Sequence, residues 1–165
     1  MFTNGPTAFG ASADVPIWNN VPVKHNGNTR YQVPYTLTGF NRNKENIIRQ
    51  NLRKMSEDIC IDFVEMEDYS SAIQKYGYSV ININRGHGCH SMVGRMGNYQ
   101  ELSLGSNCYS AGTIQHEMMH ALGFHHEQVR PDRDEYVVYH KDQVQNGLGG
   151  CTIQYKTNLV AYLRS

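Results

Sequence analysis

Apolar positions recur along this chain with the period of a helix in some stretches and of a strand in others. Ile48, Leu52, Met55 and Ile59 follow the i, i+4, i+7 rhythm of one buried helix face. Asn41 stands ahead of them as a cap, so the spacing predicts a helix ending at about Glu57. Residues 61–66 (IDFVEM) alternate apolar and polar, as a half-buried strand does, and residues 78–84 (YSVININ) do the same. Between them, residues 65–75 read as a polar connection. Residues 31–37 (YQVPYTL) predict another strand, with Pro34 at an edge or where its missing N–H does no harm. A short stretch at Ser91, Met92 and Val93 and an alternating one at 101–104 complete the strand signals. Ile114, Met118, Ala121 and Leu122 mark the inward face of a second helix, capped by Ser110 and running from about Ala111 to Leu122. Residues 1–30 are rich in Asn, Gly and Pro and read as irregular or partly disordered. Trp18, the sole tryptophan, reads there as a packing anchor rather than a binding residue.

The second helix carries the chemistry. His116 and His120 are four residues apart, so a helix places both imidazoles on one face, about one turn apart. That spacing suits two nitrogens binding one metal ion at roughly 2.0–2.1 Å. Gly123 lets the chain leave the helix in a left-handed conformation, and His126 can then swing back as a third ligand. Three protein nitrogens with one position left for water make the catalytic pattern for zinc; a structural site would be closed by a fourth ligand. Glu117, beside the first ligand, is placed to take a proton from a water on that ion. His87 and His90, in the turn from Gly86 to His90, are weaker ligand candidates because three better-spaced histidines exist.

His116-Glu117-x-x-His120-x-x-Gly123-x-x-His126 is the metzincin signature. Glu127 follows the third histidine, then Gln128, Arg130, Asp132, Arg133 and Asp134, and this run resembles the astacin family of zinc endopeptidases. Residues 89–108 (CHSMVGRMGNYQELSLGSNC) are similar to a C-x-S-x-x-G-R-x-G-x-x-Q segment of astacin-like domains that ends in a cysteine. The resemblance implies an α+β, zincin-like N-terminal subdomain, with a twisted mixed sheet of about five strands and two long helices. It implies one Zn²⁺ per chain on His116, His120 and His126, with Glu117 as the general base. It also implies an edge strand at Ser91, Met92 and Val93 that pairs with extended substrate, and a Cys89–Cys108 disulfide. Glu127 has two readings: the family's receptor for a freed N-terminus, or a structural salt bridge with Arg130 or Arg133.

The resemblance carried by these residues covers 31–139, between an N-terminal segment at 1–30 and a divergent tail at 140–165. Metzincins have a methionine turn beneath the histidines, whereas the last methionine here is Met119, inside the second helix. A fragment or truncated variant is therefore expected. Cys60 either pairs with Cys151 or one of them stays free. The functional expectation is a zinc endopeptidase; its alternative is a zinc- and peptide-binding fragment unable to turn over.

Composition adds bounds. At 165 residues the chain is one domain able to bury a core, and its formal net charge of zero gives no reason to expect nucleic acid or a membrane surface as partner. No apolar run is long enough to span a bilayer. The N-terminus lacks the basic start and apolar stretch of a signal peptide, so secretion is implied only by the family resemblance. A monomer acting on protein or peptide is expected.

Overall fold

The computed structural model describes residues 15–19, 21–77, 79–97, 99–126, 133–135, 137–139 and 153–155. The chain opens with a hairpin, β1 (Pro22–His25) and β2 (Asn28–Thr38), paired antiparallel from Pro22↔Tyr31 to His25↔Asn28. Both turn residues have positive φ, Asn26 at 49° and Gly27 at 82°, which is what a two-residue hairpin with right-twisted strands demands. Residues 1–30, expected to be irregular, therefore contain β1 and the start of β2. Asn26-Gly27 is the local signal for it.

Helix α1 (Arg42–Asp58) follows, with the Asn41 side chain accepting from the Lys44 N–H at 3.0 Å. Strand β3 (Ile61–Glu65) returns parallel to β2. The segment expected to be a polar connection then forms a short helix, α2 (Tyr69–Tyr76), capped by Asp68 and closed by Gly77. Only Ala72 and Tyr76 of it are buried, too few apolar positions to register as a periodic face. Strand β4 (Val80–Asn84) is parallel to β2 and to β6 (Tyr99–Leu104), and β5 (Cys89–Ser91) lies antiparallel at the outer edge of β6. Helix α3 (Ala111–Leu122) comes next. A 3-10 turn (Arg133–Glu135) precedes β7 (Val137–Tyr139), which pairs antiparallel with β8 (Ile153–Tyr155) in a separate two-stranded sheet.

The main sheet runs β1-β2-β4-β6-β5, with β3 on the other side of β2. Pro34 is therefore in an interior strand, not at an edge. Tyr31 donates toward β3, to the Cys60 carbonyl, and Gln32 toward β1, to the Val21 carbonyl. Successive N–H groups alternate sides, so position 34 faces the β1/β4 side. There β1's register ends at Tyr31 and β4's begins at Tyr35, and the missing donor falls in the gap.

One face of the sheet, with Val33, Tyr35, Ile81, Ile83, Leu102 and Leu104, packs on Ile48, Leu52 and Met55 of α1 and Ile114, Met118 and Ala121 of α3. Tyr76 donates to Gln32, a position on the opposite face, so α2 covers that side. There Thr36 and Thr38 both donate to Asn82 Oδ1, at 3.0 and 2.8 Å, which satisfies a polar surface across the central strands. The architecture is an α+β mixed sheet with two long helices on one face. The third, short helix is the addition.

Candidate metal centre

Helix α3 is local in origin. Ser110 Oγ accepts from the Thr113 N–H at 3.1 Å, meeting one of the free donors of the first turn. Ile114, Met118, Ala121 and Leu122 bury one side. The helix ends at Gly123 in the left-handed region, φ 112°, where a side chain would be strained. Gly123 donates to His120 and Phe124 to Met119, at 2.8 and 3.0 Å, the reciprocal pair of a Schellman ending. The reversal brings His126 back over the helix.

The three Nε2 atoms converge: 3.0 Å between His116 and His120, 2.9 Å between His120 and His126, and 3.1 Å between His116 and His126. Ligands on a tetrahedral zinc at 2.0–2.1 Å stand about 3.4 Å apart, so the trio needs only a few tenths of an ångström to open. His120 Nδ1 is 2.7 Å from the Phe124 carbonyl. A carbonyl only accepts, so Nδ1 carries the proton and Nε2 presents its lone pair to the other two rings. Burial, then the neighbouring His120 and His126 charges, depress the His116 pKa to about 4; burial and the charges of His120 and His125 lower that of His126. Neutral imidazole is the form a metal binds.

Glu117 is 5% exposed, and its Oε2 has no hydrogen-bond partner among the described residues. Burial raises its pKa, opposed by the charges of His120 and His90. A buried carboxylate oxygen left unpaired is costly, and its position beside three converging nitrogens fits a cation and the water it would bring. Among the described residues, His116, His120 and His126 are the group able to hold a metal; His87 and His90 are exposed and outside it.

The edge strand lies beside this helix. Its expected residues are only partly on it: β5 ends at Ser91, and Met92 and Val93 follow it, Met92 49% exposed. The strand stops there because the chain is turned toward α3, the Gly94 N–H donating to the His120 carbonyl at 2.8 Å. Gln100, 1% exposed, holds that turn by donating to Gly94 O and accepting from Met96 N, at 2.7 and 3.1 Å. Sequence reasoning does not reach this backbone-bridging role, although Gln100 ends the C-x-S-x-x-G-R-x-G-x-x-Q segment. Cys89 and Cys108 form a disulfide, with Cα atoms 5.6 Å apart. Cys60 is free and exposed among the described residues; Cys151 and Glu127 lie outside them.

The model of the Astacin peptidase family matches residues 23–163. The chain belongs to the astacin family. That match extends beyond 31–139, the span over which the sequence motifs resemble the family. Among astacin-family relatives, Protein SpAN of Strongylocentrotus purpuratus is 41% identical over 70% of this chain and 19% of its own length. Zinc metalloproteinase nas-15 of Caenorhabditis elegans is 34% identical over 91% of this chain and 25% of its own. Astacin-like metalloprotease toxin 1 of Loxosceles intermedia is 34% identical over 89% and 51%. High choriolytic enzyme 1 from the medaka Oryzias latipes, a hatching enzyme zinc-protease, superimposes with a TM-score of 0.62 at 30% identity, covering 88% of this chain and 64% of that one. The chain thus spans a fifth to a half of the length of these curated relatives. Among the described residues no helix is long and apolar enough to cross a membrane.

Proposed function

We propose that this chain carries the metal centre of a zinc-dependent endopeptidase, with His116, His120 and His126 holding one Zn²⁺. The observation that carries this reading is the convergence of three Nε2 atoms within 3.1 Å beside the buried Glu117, whose Oε2 has no partner among the described residues. A zinc ion bound there supplies Lewis acidity, lowering the pKa of water and polarising a peptide carbonyl. Glu117, its pKa raised by burial, accepts the proton of the attacking water and returns it to the leaving amine. The outer edge of β5, continued by Met92 and Val93, offers backbone donors and acceptors to an extended peptide, with Ser91 as the last residue in the ladder. The substrate class is protein or peptide. The disulfide suits a secreted protein, since such bonds persist in oxidising compartments.

The test uses the purified chain. One zinc per chain is expected, with cleavage of a denatured protein that a chelator abolishes and added zinc restores. A chain that holds its zinc and cleaves nothing under these conditions would overturn the endopeptidase reading. It would leave a metal- and peptide-binding domain.

A further inference from the structure

Residues 15–19 precede every described element of the fold, yet they are pinned to the far end of α3. Trp18 is 4% exposed and packs in the main core with Ile114, Met118 and Ala121. Its indole N–H donates to the Ala121 carbonyl at 2.8 Å, across 103 residues of sequence. The Pro16 carbonyl accepts from the Arg95 N–H at 2.7 Å. A Cβ at Gly94 would stand 2.2 Å from Val15 Cγ1 and 2.9 Å from Pro16 O, so only glycine allows the approach. Three pieces of chain meet here at backbone contact: the N-terminal segment, the turn after β5 and the last turn of α3.

The meeting point matters because a helix's last carbonyls have no partners within the helix. In α3 these acceptors are taken in turn. Met119 O accepts from Phe124, His120 O from Gly123 and Gly94, and Ala121 O from Trp18. Of these donors, only the indole is a side chain. The same turn carries His120, whose ring is held by the Phe124 carbonyl, and it launches the chain toward His126. The direction of this turn therefore sets the separation of two of the three nitrogens.

We infer that Trp18 is a positioning residue for the metal centre: its N–H on Ala121 O fixes the last turn of α3, and through it the placement of His120 relative to His126. This rests on the reading that the trio holds a divalent cation. Groups that orient metal ligands from behind change metal affinity about 10- to 100-fold when removed.

Trp18→Phe in the full chain keeps a buried ring and removes the donor. Zinc affinity by chelator competition, and the visible spectrum of the Co²⁺-loaded chain, report on the three nitrogens without requiring activity. We expect zinc to bind about 10- to 100-fold more weakly and the Co²⁺ bands to shift. An Ile48→Val control, which loosens the core at α1 with the indole intact, should leave both unchanged. Unchanged affinity and spectrum in folded Trp18→Phe overturn the inference, as does an equal loss in Ile48→Val. If Trp18→Phe does not fold, the unmutated chain decides. Trp18 is its sole tryptophan, so its emission should change on adding Zn²⁺ to the metal-stripped chain, with the same midpoint as metal uptake. No emission change on metal uptake overturns the inference while the metal centre stands. No uptake by the unmutated chain removes the centre itself, and the inference with it.

Discussion

Glu65 ends β3 among donors. Arg49 reaches both of its oxygens at 2.6 Å, and the Tyr35 hydroxyl donates to it at 3.2 Å. The Arg49 hydrogen bonds hold its carboxyl below the usual range, against the opposing effect of burial. Glu117, on α3, is more deeply buried; its Oε2 has no partner among the described residues, and burial raises its pKa. A carboxylate with its lone pairs satisfied stabilises structure and does little else. One left unsatisfied costs stability and stays free for a proton, which is how reactive groups differ from structural ones in the same fold.

The largest effect is expected of Glu117→Gln. Losing a general base lowers rate about 10²- to 10⁴-fold, so cleavage of a denatured protein should fall by that much while zinc stays at one per chain. If metal analysis shows zinc lost together with activity, Glu117 is supporting the ligands rather than moving protons. Next in size is the disulfide. Replacing Cys89 and Cys108 together by Ser opens a closure with a sequence separation of 19. On the loop-entropy scale that costs about 3 kcal/mol, to be read from the urea midpoint. It asks whether the edge strand beside the site is held covalently, where the Glu65 side of the molecule relies on ions.

Glu65→Gln should cost less. The pair is partly exposed, with side-chain exposures of 33% and 34%, and such bridges contribute below about 1 kcal/mol. The two carboxylates also differ in how their contributions depend on pH. A depressed carboxylate contributes stability above its unfolded pKa of about 4.3 and loses it as pH falls through the lower folded value. The deficit of Glu65→Gln should therefore be full at pH 7 and shrink toward pH 3. In the metal-stripped chain Glu117 has the opposite sign. Its raised folded pKa makes ionisation oppose folding, so Glu117→Gln should stabilise at pH 7. That gain should fade as pH falls through the raised value toward about 4.3. Parallel urea midpoints for both variants check this; two deficits of the same sign would end the contrast.

Helix α1 and helix α3 are both readable from the chain, because a cap and an i, i+4 apolar rhythm act within a few residues of one another, joined in α3 by a terminating glycine. The spacing of His116, His120 and His126 is legible for the same reason: one helix turn and one Schellman ending bring them together. Helix α2 escapes a periodicity reading because its two buried positions are less conspicuous than the polar residues around them. Its Asp68 cap and Gly77 stop are the available signals. The hairpin at Asn26-Gly27 is a further local signal, hidden within a segment of low periodicity.

Other features depend on neighbours distant in sequence. Pro34 is tolerated inside the sheet because β1 and β4 leave a gap opposite it, and no local pattern reveals where two other strands stop. The end of β5 at Ser91 depends on the Gly94 bond to His120, and the Trp18 contact spans 103 residues. Local order in the chain was enough to specify the long helices and the convergence of His116, His120 and His126, since hydrogen bonds and side-chain periods within one turn determine them. Which carboxylate oxygen lacks a partner among the described residues, where β5 stops and what contacts the last turn of α3 are matters of packing between remote segments. Those contacts exist only once the sheet has closed over both helices.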